Sequence, residues 1–273
     1  MPNQQIVQKS AVLNMAALIW QHRKVLLTTT WVELLKRYSG SILGKMWLVL
    51  YPTLFLCIYL FLFLVIFKMR FPGYSQLDYV LYVFCGLVPY IGFMEALNAG
   101  CVSVKQNIHL VRNVLFPIEL IPVRTVLIAF ATQMVGLGVL LVLLIINGSF
   151  SFHVIWLPLV MVGQLLLTIG LVWFLAALAV GLPDVSYFVN LFGLFLMFVS
   201  PIGFKADMIP QGLEFLLYLN PIYYLLEMYR NSLLYAAWPT FPLVVAFTLL
   251  CVGAFALGAK FFWRFKDILA DYE

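Results

Sequence analysis

Charge is scarce in this chain. Asp, Glu, Lys and Arg make up 10% of its 273 residues, while apolar residues reach 64%. Soluble domains run near roughly 25% and 45–50%. One soluble core cannot hide that excess, so lipid must serve as solvent for much of the chain. Catalytic signatures are missing too. There is no GxxxxGK[ST] loop to cradle phosphates, no HExxH and no GxSxG. His22, His109 and His153 are dispersed. The four cysteines, Cys57, Cys85, Cys101 and Cys251, form no CxxC and no Cys/His ligand spacing, which argues against a disulfide framework or a zinc site. The basic excess, 16 Lys+Arg against 11 Asp+Glu, is not gathered on a soluble domain, so a nucleic-acid partner is not expected. The first long apolar run begins near Trp47, too late for a cleavable leader.

Long apolar runs are what the chain does have. Segments 47–67, 79–97, 126–146, 154–182, 187–204 and 242–262 are each predicted to cross a bilayer, which takes about 20 residues. The second carries Gly86, Pro89 and Glu95, and the last carries Lys260, placed to snorkel. Segment 205–239 is apolar and aromatic but holds Lys205, Asp207, Glu214, Glu227 and Arg230, which are costly at mid-bilayer. Pro210 and Pro221 punctuate it, predicting two short helices, 213–219 and 222–235, at the interface or re-entrant; a seventh span is the alternative. Six spans put both termini on one side. That side carries twelve of the sixteen basic residues, which makes it the cytoplasm. The predicted fold is thus an all-α integral membrane protein. It comprises a cytoplasmic N-terminal segment, 1–46, and a transmembrane domain, 47–273.

Three features stand out as possible carriers of function. Segment 26–46 is amphipathic, with Leu27, Trp31, Leu34, Leu35 and Tyr38 at helical spacing opposite Glu33, Lys36 and Arg37. It reads as a helix in the interface plane, either a passive anchor or a lever. The gap 101–122 predicts a short helix ending at Phe116, because Pro117 disfavours helical geometry before it. It is either a plug for a soluble partner or an ordinary turn. In the first span Trp47, Tyr51, Phe55, Tyr59, Phe63 and Phe67 recur every fourth residue. Such rings pack between helices or offer stacking surfaces to sugars.

Taken together, three motifs resemble the permease subunits of bacterial ABC exporters for O-antigen, capsular polysaccharide or teichoic acid. They are Arg37-Tyr38-x-x-Ser41-x-Leu43-Gly44-x-x-Trp47; Asn113-Val114-Leu115-Phe116-Pro117 followed by Pro122; and Pro201-Ile202 with Pro210, Asn220-Pro221 and Arg230. The resemblance covers nearly the whole chain. It implies a homodimer in the bacterial inner membrane with two separate ATPase subunits, which alone bind ATP and Mg; this chain then holds no cofactor and is not an enzyme. It also implies a lipid-linked polysaccharide as cargo, O-antigen before capsule or teichoic acid. Arg112, Asn113, Phe116 and Pro117 become ATPase-coupling residues, and Arg37, Tyr38, Ser41, Gly44 and Trp47 an interface-helix motif. Tyr51, Phe55 and Tyr59 become channel lining; Pro201, Asn220, Pro221 and Arg230 an outer gate segment. A small-molecule or lipid exporter of the same superfamily, and an intramembrane glycan-processing enzyme, are the competing readings.

Overall fold

The computed structural model describes residues 2–37, 40–66, 68, 74–107, 116–210, 212–235 and 237–271. It is all-helical, with no strand among the described residues. We number the helices α1 (Pro2–Gln21), α2 (Arg23–Arg37), α3 (Trp47–Leu60), α4 (Gln76–Gln106), α5 (Leu120–Ile146), α6 (Leu157–Gly181), α7 (Val185–Val199), α8 (Phe215–Leu219), α9 (Pro221–Leu233) and α10 (Phe241–Asp271). Four stretches are long and apolar enough to cross a membrane: Gln76–Gln106, Leu120–Ile146, Phe152–Gly181 and Phe241–Lys266. The other two predicted spans are shorter here. The first is α3 continued by a π-helical stretch, Phe61–Ile66. The fifth is α7, which stops at Val199 because Pro201 and Gly203 follow in non-helical backbone.

Helix α4 is the centre of the molecule. Its apolar window is 78% buried, against 22% for that of α10. It packs on α3, α5, α6, α7 and α9. A reciprocal capping box starts it. Ser75 Oγ accepts from the Asp78 N–H at 3.1 Å, and Asp78 accepts from the Ser75 N–H at 3.0 Å. Asp78 also accepts from Asn147 at 3.0 Å, tying the start of α4 to the end of α5. At the opposite ends Arg124 donates to Asn107 at 2.8 Å, so the antiparallel pair is pinned twice.

Helix α10 reaches this core through α6, and glycine decides how closely. A Cβ on Gly258 would stand 1.9 Å from the Gly170 carbonyl oxygen, and one on Gly170 would stand 2.2 Å from that of Ala254. The two backbones therefore touch directly, as small residues allow between membrane helices. At the N-terminus α1 rests on α10 and α2 rests on α5. The buried face of α2 is Leu26, Thr30 and Leu34. Leu27 and Trp31, predicted on the same apolar face as Leu34, are exposed. The predicted pair of short helices before the last span is present as α8 and α9. The short helix predicted before Phe116 lies outside the described residues.

The α6–α10 crossing gives a direct test. Gly258→Leu should lower the thermal midpoint of the purified protein by the equivalent of about 1–3 kcal/mol or more, the cost of overpacking. Gly253, on the same helix with open space where a Cβ would sit, is the control. Gly253→Ala should be neutral or slightly stabilising, since Ala favours helix by up to about 1 kcal/mol.

Candidate functional site: an aromatic cavity, an ion pair and a backbone clamp

The turn that joins α2 to α3 explains most of the first motif. Ser41 Oγ accepts from the Gly44 N–H at 3.0 Å, closing the turn. Gly44 has φ +51°, a left-handed value that a Cβ would disfavour. Trp47 then begins α3. Arg37, at the end of α2, donates to the Glu95 carboxylate on α4 and forms an ion pair with it. Tyr38 lies outside the described residues. The motif therefore builds a hinge between two helices and anchors one side of it to the core helix.

Beyond that hinge lies a cavity of about 740 Å³ between α3, α4 and α7. Trp47, Tyr51 and Phe55 line it from α3, with Tyr90 and Glu95 from α4 and Asn190 from α7. Tyr51 is 55% exposed, so much of its ring remains accessible. Tyr59 is not among the lining residues; it is partly buried and packs against the hydrophobic core. The four-residue spacing thus divides along α3, because each step turns about 40° past a full turn. On the far wall the Tyr90 hydroxyl donates to the Gly193 carbonyl, the hydrogen bond that ties α7 to α4. A second cavity of about 450 Å³ lies between α2, α4 and α5. Arg37, Glu95 and Ala99 line both cavities, so the ion pair stands in the wall between them.

The third motif assembles at the other end of α4. Backbone 200–204 leaves the helix after α7, and its carbonyls need donors. Arg230, fully buried on α9, donates Nη2 to the Pro201 carbonyl and, at 3.4 Å, to that of Ile202. Its Nη1 donates to Glu227 at 3.1 Å, and its guanidinium carbon lies 3.8 Å from the Tyr82 ring centroid. Tyr79 donates its hydroxyl to the Gly203 carbonyl at 3.0 Å, and Tyr82 to that of Phe204 at 3.1 Å. Asn220 donates to Ser200 Oγ at 2.8 Å and accepts from the Ile222 N–H at 2.9 Å, capping α9, where Pro221 stands at the first helical position. Pro201, Asn220, Pro221 and Arg230 thus fall in one cluster.

A second polar cluster, which no motif announces, lies in the core. Gln133 on α5 donates to Gln164 on α6 at 2.9 Å and to the Tyr229 hydroxyl on α9 at 3.0 Å. Gln164 donates back to Gln133 at 2.9 Å and to the Pro89 carbonyl of α4 at 3.2 Å. Uncharged amides inside apolar runs were the available signal, since polar groups in lipid need partners. Among the residues expected to meet an ATPase, Phe116 is partly buried against the core. Pro117 lies in the loop before α5, where its carbonyl accepts from the Leu120 N–H at 3.0 Å. Arg112 and Asn113 lie outside the described residues.

Replacing Arg230 by Lys keeps the charge but loses the planar fork. Hydrogen bonds from a charged donor contribute about 1.5–3 kcal/mol each. Arg230→Lys should cost about that much in thermal unfolding of the purified protein. A cysteine placed at Ile202 should then react faster with a thiol reagent than in the parent. An unchanged labelling rate would show that the clamp does not hold this segment.

Comparison with known proteins bears on what this geometry serves. A permease named O-antigen export system permease protein RfbA from Myxococcus xanthus is 29% identical over 215 residues, covering 78% of this chain and 81% of that protein. One of the same name from Klebsiella pneumoniae is 27% identical over 252 residues, covering 90% and 95%. Residues 24–234 match the family described as ABC-2 type transporter, and this multi-pass membrane chain belongs to that family.

Proposed function

We propose that this chain is the channel-forming permease subunit of an ATP-driven O-antigen exporter in the bacterial inner membrane. The cargo is a lipid-linked polysaccharide, and the hydrolysis of ATP with Mg occurs in two separate partner subunits. The observation that carries the reading is the 740 Å³ aromatic-lined cavity between α3 and α7, in a chain whose relatives are named for O-antigen export. Trp47, Tyr51 and Phe55 offer ring faces that stack on sugars without demanding one sugar type. Arg37, Asn98 and Asn190 in the same lining bind hydroxyls, which favours glycan over a purely apolar drug.

A second copy completes the channel. Tyr187, Phe188, Leu191, Phe195 and Phe198 leave α7 with a broad exposed apolar face beside the cavity. A two-fold pairing covers such a face with its own equivalent. In this arrangement the chain has six spans, with α3 and α7 as the first and fifth, and both termini in the cytoplasm. Segment 1–46 carries the interface helix, and 47–273 forms the export domain. Arg112, Asn113, Phe116 and Pro117 meet the ATPase, and the Pro201–Arg230 cluster forms the outer gate. Nucleotide must favour one channel state by differential interaction with it. ATP binding draws on the coupling segment and α2, and the hinge at Gly44 passes that motion to α3.

Deleting the gene should abolish surface polysaccharide and leave the lipid-linked polymer inside, with the wild-type chain restoring export. Normal surface polysaccharide in the deletion strain overturns the assignment. Two aromatic variants locate the path. Tyr51→Ala should reduce export at unchanged abundance and thermal midpoint. Tyr59→Ala should instead lower stability, by up to about 3–5 kcal/mol for a large aromatic truncated in a core. Export and stability measured side by side decide between lining and packing at each position.

A further inference from the structure

The cavity beneath α2 contains a cation that the described residues satisfy only in part. Arg124, near the start of α5, is only 8% exposed. Its Nη2 donates to Asn107 at 2.8 Å, a neutral partner. Its Nε is buried with no hydrogen-bond partner among the described residues. No carboxylate pairs with Arg124 among the described residues. A buried charge left this way is costly, and an anion is what relieves it. Arg124 lines the 450 Å³ cavity, a volume within the roughly 300–1,000 Å³ of small-ligand sites.

We propose that this cavity binds a phosphate-bearing headgroup, with Arg124 as its buried cation and Arg37 as a second cation at the rim. The planar guanidinium fork matches phosphate oxygens, and an Nε–H beside an Nη–H is one of its bidentate edges. Two acidic residues share the lining and must be weighed. Glu33 is exposed, so water screens it. Glu95 is already paired with Arg37. Neither cancels the charge on Arg124. The neighbouring helix indicates where such an anion comes from. Leu27 and Trp31 are exposed on α2, which suits an interface helix lying among lipid headgroups.

Occupancy has a structural consequence. Arg37 and Glu95 line both cavities. A headgroup that engages Arg37 competes with Glu95 for it, and so removes the ion pair from the wall facing the aromatic cavity. Assigning the phosphate to the lipid-linked substrate rests on the export reading above. The phosphate site itself does not.

The test uses the full chain in nanodiscs of zwitterionic lipid, titrated with a polyprenyl diphosphate and, in a second arm, with phosphatidylglycerol. Wild type should bind the diphosphate saturably. Arg124→Gln should weaken binding at least tenfold, and Arg124→Lys should retain part of it. Asn107→Asp is the decisive variant. It gives Arg124 a carboxylate from the protein, so it should keep or raise the thermal midpoint while weakening diphosphate binding at least tenfold. A purely structural Arg124 would not link those two changes. If phosphatidylglycerol binds equally well with the same Arg124 dependence, the phosphate site stands and its assignment to the substrate falls. Unchanged diphosphate affinity in Asn107→Asp and Arg124→Gln overturns the site. The gene-deletion phenotype is independent of it, so the export reading survives that result.

Discussion

Backbone that leaves a helix among apolar side chains must find new hydrogen bonds, and Arg230 supplies them here. Each unsatisfied carbonyl in such surroundings costs several kcal/mol, so the turn after α7 exists only because donors reach it. Arg230 takes the Pro201 and Ile202 carbonyls, while Tyr79 and Tyr82 take the next two. Those donors come from α9 and α4, so the clamp also fixes where α9 lies. The ring of Tyr82 and the carboxylate of Glu227 in turn accommodate the buried charge. The position of the non-helical turn, the end of α7 and the seating of α9 are therefore one structural decision.

Two classes of contact divide the molecule mechanically. Helices α4, α5, α6, α9 and α10 are joined by large buried side chains, the Gln133–Gln164–Tyr229 network and a backbone-to-backbone glycine crossing. Such packing moves as a unit or not at all, because close-packed interiors are not continuously deformable. Helices α3 and α7 differ. Tyr51, Leu54 and Ile58 on α3, and Phe188, Leu191 and Phe195 on α7, are exposed. Polar contacts to α4 include Tyr90 to Gly193 for α7 and Arg37 to Glu95 at the turn before α3. The aromatic cavity lies between the rigid body and these two less embedded helices.

Much of this was legible in the sequence, for identifiable reasons. Composition alone required a membrane fold, and uncharged runs marked helices. Pro210 and Pro221, with five charges, separated α8 and α9 from the spans around them. The Arg37–Trp47 motif was visible as residues, but its geometry was not. That Arg37 meets Glu95, 58 positions away, depends on how α2 rests on α5, the neighbour of α4. The aromatic repeat in α3 looked uniform because spacing says nothing of neighbours, and the structure sends Tyr51 to the cavity, Phe55 to both cavity and core, and Tyr59 to the core. Gln133 and Gln164 carry no charge, so the runs that hold them read as ordinary spans, although an amide in lipid still needs hydrogen-bond partners. The start of α1 lies in a polar stretch with no apolar run to announce it.

The placement of α2 determines how a push on it divides. Leu26, Thr30 and Leu34 seat one face of the helix against α5, part of the rigid body. Its last residue holds α4 through an ion pair whose arginine is partly exposed and whose carboxylate is mostly buried. Immediately beyond comes the Ser41–Gly44 turn, whose left-handed glycine lets α3 change direction without bending either helix. This turn thus sits between the seated face of α2 and the more exposed α3. A force applied to α2 therefore meets two contacts, the Arg37–Glu95 pair and the face that seats Leu26 and Leu34 on α5. Under the export reading, parting Arg37 from Glu95 opens the wall between the two cavities, while the clamp at Arg230 lies at the far end of α4 and shares no residue with that wall.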